Sequence, residues 1–262
     1  MNILIVGAGK VGSTLAAYLS REDHNVTIID QNDTAIHRAS DTLDVMCIKG
    51  PGAAPSVLRE AGVEAERAML QATRGINTHK GMIFSMGCLL GASGRLWRPE
   101  GPCRDAARLL EECARMSAGA VEDAFSALTP ETARTFGARL YLETGLRGIR
   151  GEVAGGFPSV LLTGLPTLRA LLERGVSMER AGVSVLLALM ARTVDTNLIA
   201  RGGPEGQRWA AAQAAGLLAQ GLLPAPEAVE ALDREMIRRN LSPGGCADLL
   251  AVTYFLHAVT DG

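Results

Sequence analysis

The chain has 262 residues, 47% hydrophobic and 21% charged, enough apolar material for one large core or two modest ones. A formal charge of -2 leaves no basic footprint for nucleic acid, and the longest apolar runs are interrupted at Arg192 and Asp248, short of membrane-spanning length. Five scattered cysteines without a Cys-x-x-Cys pair, and no basic leader ahead of Asn2, make a cytoplasmic protein with reduced thiols the expectation.

In chain order, residues 2–6 predict a strand that enters Gly7-Ala8-Gly9-Lys10-Val11-Gly12, and residues 13–21 predict a helix. This is a G-x-G-x-x-G turn, whose glycines permit close approach of the backbone to a pyrophosphate held at a helix N-terminus. A second strand, residues 25–30, ends in Asp30, at about the distance downstream where an acid meets the adenosine ribose hydroxyls. Gly7, Gly9, Gly12 and Asp30 are thus candidates for an NAD-binding half-site. A helix over about 34–40, a strand over 45–48 and a helix over 55–61 follow. This segment, with Ser56-Val57-Leu58-Arg59-Glu60-Ala61-Gly62, resembles the NAD-binding regulatory domain of Trk-type potassium uptake systems. That family has six parallel strands, and residues 1–62 supply three, which would leave the first strand as an apolar edge.

Beyond Gly62, β-branched runs give way to Ala, Leu, Arg and Glu at helical spacing. Helices are predicted over 64–73, 80–96, 105–116, 121–128, 130–142, 158–174, 178–200, 206–220, 226–239 and 246–259. The Gly-rich stretch 148–157 is expected to be a flexible loop. The expected fold class is therefore two-part: the N-terminal half of a Rossmann-like α/β domain over 1–62, then an all-α helical bundle over 63–262.

Three helices are apolar nearly all round, with cores at 82–92, 183–191 and 247–256, which places them inside a bundle. Each carries polar residues at one end: Asn77, His79 and Lys80 before the first; Asp195, Asn197 and Arg201 at the C-terminal end of the second; Ser242, Gly244, Gly245 and Asp248 at the start of the third. With the second helix antiparallel, the three ends would form one pocket. Free N-H groups at two helix N-termini, with Lys80, Arg150 and Arg201, suit a polyphosphate. Asp195, Asn197 and Asp248 are hard ligands suited to Mg²⁺, and Glu152 adds a carboxylate. Taken singly, His79 is as well read as a structural histidine and Asp248 as a first-turn helix carboxylate; only their combination points to a nucleotide site.

Four strings in this order, Gly75-Ile76-Asn77-Thr78-His79-Lys80-Gly81, Gly148-Ile149-Arg150-Gly151-Glu152 with Gly156-Phe157-Pro158-Ser159-Val160, Asp195-Thr196-Asn197 with Arg201-Gly202-Gly203, and Asn240-Leu241-Ser242-Pro243-Gly244-Gly245 with Ala247-Asp248, are similar to triphosphoribosyl-dephospho-CoA synthases over about 63–262. The resemblance implies an all-helical enzyme that joins ATP to 3′-dephospho-CoA and releases adenine, making the precursor of the prosthetic group of citrate lyase or malonate decarboxylase acyl-carrier proteins. It would place the triphosphate on Lys80, Arg150 and Arg201, and base or Mg²⁺ duties on Glu152, Asp195, Asn197 and Asp248. Members of that family begin with a further helical region bearing a Pro-Gly-Leu-Val-Asp type motif and a His/Asp pair, in whose place residues 1–62 stand. Two alternatives follow from that substitution: an NAD-binding regulatory subunit of a potassium uptake system, and an inactive hybrid of two incomplete domains.

Overall fold

The computed structural model describes residues 2–21, 25–50, 55–75, 80–98 and 101–261. The chain divides into two compact units, Met1–Pro102 and Cys103–Gly262.

In the first unit, strands β1 (Asn2–Val6), β2 (Asn25–Asp30) and β3 (Met46–Lys49) pair in parallel in the order β1-β2-β3. Parallel strands require crossovers, and helices α1 (Lys10–Arg21) and α2 (Asp33–Thr42) supply them. The alternation along β2 sends Ile28 into a cluster with Ile5, Ala16, Ile36 and Ala39, and Ile29 to the opposite face against Ile48, Val57 and Ala61. The second face is covered by α3 (Pro55–Ala72), on which α4 (Lys80–Arg95) packs. Among the described residues β1 pairs only with β2, so it is a sheet edge as expected.

Gly62 does not divide two helices. The turns expected over 55–61 and 64–73 form the single helix α3, with Val57, Ala61 and Met69 buried along it. An interior glycine costs a helix about 1 kcal/mol, well within what buried side chains of this kind return. Residues 106–126 are likewise one helix rather than two.

The second unit contains α5 (Ala106–Ser126), α6 (Phe136–Thr144), α7 (Gly148–Ala154), a π-helical turn (Val160–Gly164) leading into α8 (Leu165–Leu172), α9 (Met178–Arg192), α10 (Thr196–Ala219), α11 (Pro226–Arg238) and α12 (Gly244–Thr260). At its centre α9 packs against α8, α10, α12 and the π-turn. Ala181, Val185, Leu187 and Leu189 on α9, and Leu249, Val252 and Leu256 on α12, are all buried, as their apolar sequences require.

Three departures from the sequence reading shape the site. The stretch 148–157 begins with a helix, α7, not a loop. The helix expected over 178–200 stops at Arg192, and Asp195 starts a new one by accepting N-H groups at its own N-terminus. The break expected at 202–204 is present as a kink rather than a loop: Gly203 is non-helical, with φ 65° and ψ -175°, and helical segments run on either side of it within α10. Among the described residues no single helix is long and apolar enough to cross a membrane.

Candidate functional site

In the first unit, Gly7 takes a φ of 109°, and a Cβ on Gly12 would stand 1.8 Å from the Gly7 carbonyl oxygen. A Cβ on Gly9 would meet nothing within 4 Å. The first glycine thus makes the turn, the third lets α1 lie against β1, and the second leaves its backbone approachable. Asp30 also has a structural role. Its carboxylate accepts the Ala8 N-H at 2.6 Å and the Asn32 N-H at 2.8 Å, which braces the turn in addition to any contact with ribose.

Lys80 opens α4 and is ion-paired with Glu66 of α3 at 2.5 Å. Asn77 and His79, expected beside it, lie outside the described residues.

The second unit brings the other candidates together. The N-termini of α10 and α12 abut, and Asp195 is the link. One carboxylate oxygen accepts the Asn197 N-H at 2.8 Å and the Leu198 N-H at 3.4 Å, while the other accepts the Cys246 N-H of α12 at 2.9 Å. Asp195 is only 2% exposed, so a charge held there needs such donors. It therefore occupies, as an internal anion, much of the helix-end position the sequence reading gave to phosphate. The Gly244 and Gly245 N-H groups are the donors of that turn that Asp195 does not take.

Both glycines are explained by crowding. A Cβ on Gly245 would lie 2.9 Å from an Asp195 carboxylate oxygen, and one on Gly244 would lie 2.7 Å from the Asn197 amide nitrogen. A Cβ on Gly148, at the start of α7, would come within 3.0 Å of Thr196, so α7 starts at the same place.

Asp248 stands one turn into α12 and is 9% exposed. Among the described residues its carboxyl accepts no hydrogen bond and joins no ion pair. Burial, and then the neighbouring Asp195 charge, push its pKa from 3.8 up to about 7. Glu152 is held instead: Ser159 donates its hydroxyl at 2.6 Å and its N-H at 3.2 Å to the carboxylate. Burial, with the charges of Asp195, Glu152 and Asp248, raises the Cys246 thiol far above its ordinary range, which makes it a packing group.

Arg150 and Arg201 are exposed, and Arg201 donates to the Asn240 side-chain oxygen at 3.2 Å. Ser242 is half-buried just before the Gly244 turn. Among the described residues, no three His, Cys, Asp or Glu side chains gather closely enough to hold a metal ion.

Gln207 escaped the sequence reading. It is 8% exposed; its carbonyl oxygen accepts the Asp195 N-H at 3.1 Å and its amide donates to the Thr193 carbonyl at 3.1 Å. One side chain thus bridges the Asp195 N-H and the Thr193 carbonyl across the α9–α10 break. The signal was an amide on the Ala- and Gly-lined face of a helix. A second bracket comes from Leu241, which fills the space over two glycines of α10: a Cβ on Gly202 would stand 2.4 Å from it, and one on Gly206 3.0 Å.

Comparison with known proteins follows this geometry. Residues 34–262 match the family model of ATP:dephospho-CoA triphosphoribosyl transferase, and residues 5–44 match an NAD(P)-binding Rossmann-like domain. A Citrobacter koseri protein named probable 2-(5''-triphosphoribosyl)-3'-dephosphocoenzyme-A synthase is 43% identical over 207 residues, 78% of this chain and 68% of that protein. A Vibrio cholerae protein of the same name is 41% identical over 210 residues, 79% of this chain and 66% of that protein. The chain therefore spans about two thirds of the length of these curated relatives. A crystal structure from Archaeoglobus fulgidus, of a protein named for the same synthase, superposes with a TM-score of 0.52 at 16% identity, covering 79% of this chain and 89% of that one, which supports the fold.

Proposed function

The chain belongs to the ATP:dephospho-CoA triphosphoribosyl transferase family, and from that membership we propose that it transfers the triphosphoribosyl group of ATP to 3′-dephospho-CoA and releases adenine. The observation that carries the site assignment is the Asp248 carboxyl, buried, without a donor among the described residues, and beside a second carboxylate that is fully engaged.

The chemistry needs a base that works near neutral pH. The ribose 2′-hydroxyl of dephospho-CoA attacks the anomeric carbon of ATP as the bond from that carbon to adenine breaks, through a transition state of oxocarbenium character. Adenine leaves with the bonding electrons, and the hydroxyl proton passes to Asp248, whose pKa of about 7 matches this task. Asp195 fixes the two helix ends on which Asp248 and the Gly244-Gly245 turn are mounted. Glu152, held by Ser159, contributes negative charge toward the developing positive charge of the sugar.

Mg²⁺ fits this reading as the counter-ion that arrives with ATP. With no gathered set of three ligands among the described residues and Asp195 spent on N-H groups, the ion would keep most of its ligands from phosphate and water, with the exposed Asn197 as the residue that could meet it. When bound it would neutralise triphosphate charge. Arg150, Arg201 and the Gly244 and Gly245 N-H groups are the proposed triphosphate contacts of the second unit. The product would pass to an acyl-carrier protein pathway.

The test is direct. Full-length protein is mixed with ATP, Mg²⁺ and dephospho-CoA, and adenine and the triphosphoribosylated product are followed by mass spectrometry. Adenine formation no faster than in an Asp248→Asn control would sink the proposal. The Gly-rich turn of the first unit supports a separate nucleotide site of the NAD type.

A further inference from the structure

The first unit contains a cleft of about 480 Å³ that the transferase reaction does not use. Gly9, Ser13, Thr14, Asn32, Thr34 and Arg38 line it, so it lies between the Gly-rich turn, the first turn of α1 and the start of α2. Two of these polar groups are spent locally. The Ser13 hydroxyl donates to the Ala8 carbonyl at 2.9 Å, and the Asn32 side-chain oxygen accepts the Ala35 N-H at 3.1 Å. The Thr14 and Thr34 hydroxyls and the exposed Arg38 guanidinium remain, and among the described residues Arg38 is the one charged group of the lining.

Among the described residues no carboxylate is paired with Arg38. Asp30 is turned onto the Ala8 and Asn32 N-H groups and does not line the cleft. Asp33, on the same helix as Arg38, is paired with Lys49 at 2.9 Å and with His37 at 3.8 Å. In nucleotide-binding turns of this type, a free carboxylate after the second strand accepts the two ribose hydroxyls and selects against a phosphate there, whereas an arginine selects for one. A guanidinium is also suited to bidentate contact with phosphate oxygens.

We infer that the cleft binds adenine nucleotides bearing a phosphate on the ribose 2′ position, the NADP(H) class, in preference to NAD(H), and that Arg38 receives that phosphate. The Gly9 backbone and the start of α1 take the 5′-diphosphate, while Thr34 and Arg38, at the start of α2, face the ribose. This site is independent of the adenine-releasing reaction assigned to the second unit.

Calorimetric titration of the full-length chain with 2′,5′-ADP and 5′-ADP, and fluorescence titration with NADPH and NADH, test the inference. The 2′-phosphorylated member of each pair is expected to bind at least tenfold more tightly. Arg38→Ala should remove that preference while changing 5′-ADP affinity less than twofold; Arg38 is exposed, so the packing of α2 is retained. Equal or tighter binding of the unphosphorylated nucleotides, a preference that survives Arg38→Ala, or binding of none of the four overturns it. Adenine release measured on the same preparation reads the transferase separately, so either proposal can fail alone.

Discussion

Replacing Asp248 with asparagine should separate stability from activity. In the folded protein the carboxyl pKa rises from 3.8 to about 7, so the proton is bound more tightly in the native state than in the unfolded chain. The stability this contributes is complete below about pH 4 and is lost as pH rises through 7. At about 1.4 kcal/mol per pH unit, the charged form at pH 8 costs about 4 kcal/mol relative to the neutral one. Asparagine cannot ionise, and its amide can donate toward Asp195. The variant should therefore be more stable than the parent at pH 8, with an advantage that grows by about 2–3 kcal/mol between pH 5 and pH 8. A few kcal/mol in a chain of this size corresponds to roughly 4–12 °C in Tm. Urea denaturation at the two pH values measures the difference, and adenine release should fall at least about 100-fold if the proton acceptor is lost. A variant less stable than the parent at pH 8, or an advantage that does not change with pH, would refute the account of Asp248 as a buried, unpaired acid.

Gln207→Leu leaves the Asp195 N-H and the Thr193 carbonyl without their partner and should cost about 2–4 kcal/mol by chemical denaturation. Because the damage passes through Asp195, kcat should fall even when expressed per folded molecule, with the folded fraction measured on the same sample; simple loss of folded protein would lower the apparent kcat and leave the value per folded molecule unchanged. Gly245→Ala places a methyl 2.9 Å from an Asp195 oxygen and should lower kcat at least about tenfold. Gly216→Ala is its control: it lies within α10, has nothing within 4 Å of the new methyl, and should add up to about 1 kcal/mol of stability with unchanged activity.

The parts of this structure that were legible in the sequence are those set by local periodicity and local chemistry. Strand β2 ends where Asp30 ends it, α1 and α2 follow their apolar spacing within a few residues, and Asp195, Asn197, Gly244, Gly245 and Asp248 do assemble at one end of the second unit. The break at 193–195 was hidden because the apolar pattern of α9 runs on into Leu198 and Ile199, so only the capping chemistry of Asp195 marks it. That misreading made a helix tail of what is a helix start, and so missed that Asp195 takes N-H groups of its own helix and the Cys246 N-H of α12, one of those expected to be free for phosphate. Asp30 carries a second role that spacing could not reveal, since its carboxylate also accepts two backbone N-H groups. Gln207 was illegible because its partners lie 12 and 14 residues away, reached only through the bend at Gly203.

Leu241 seated over Gly202 and Gly206 has a mechanical consequence. Together with the Asp195 bond to the Cys246 N-H, it pins the segment before α12 to α10 at two separate points, and two points of attachment remove the freedom to swivel that one would leave. The starts of α10 and α12 thus behave as a single rigid part. In the proposed site, substrate would meet charges whose spacing was settled when the protein folded, leaving little reorganisation for the reaction.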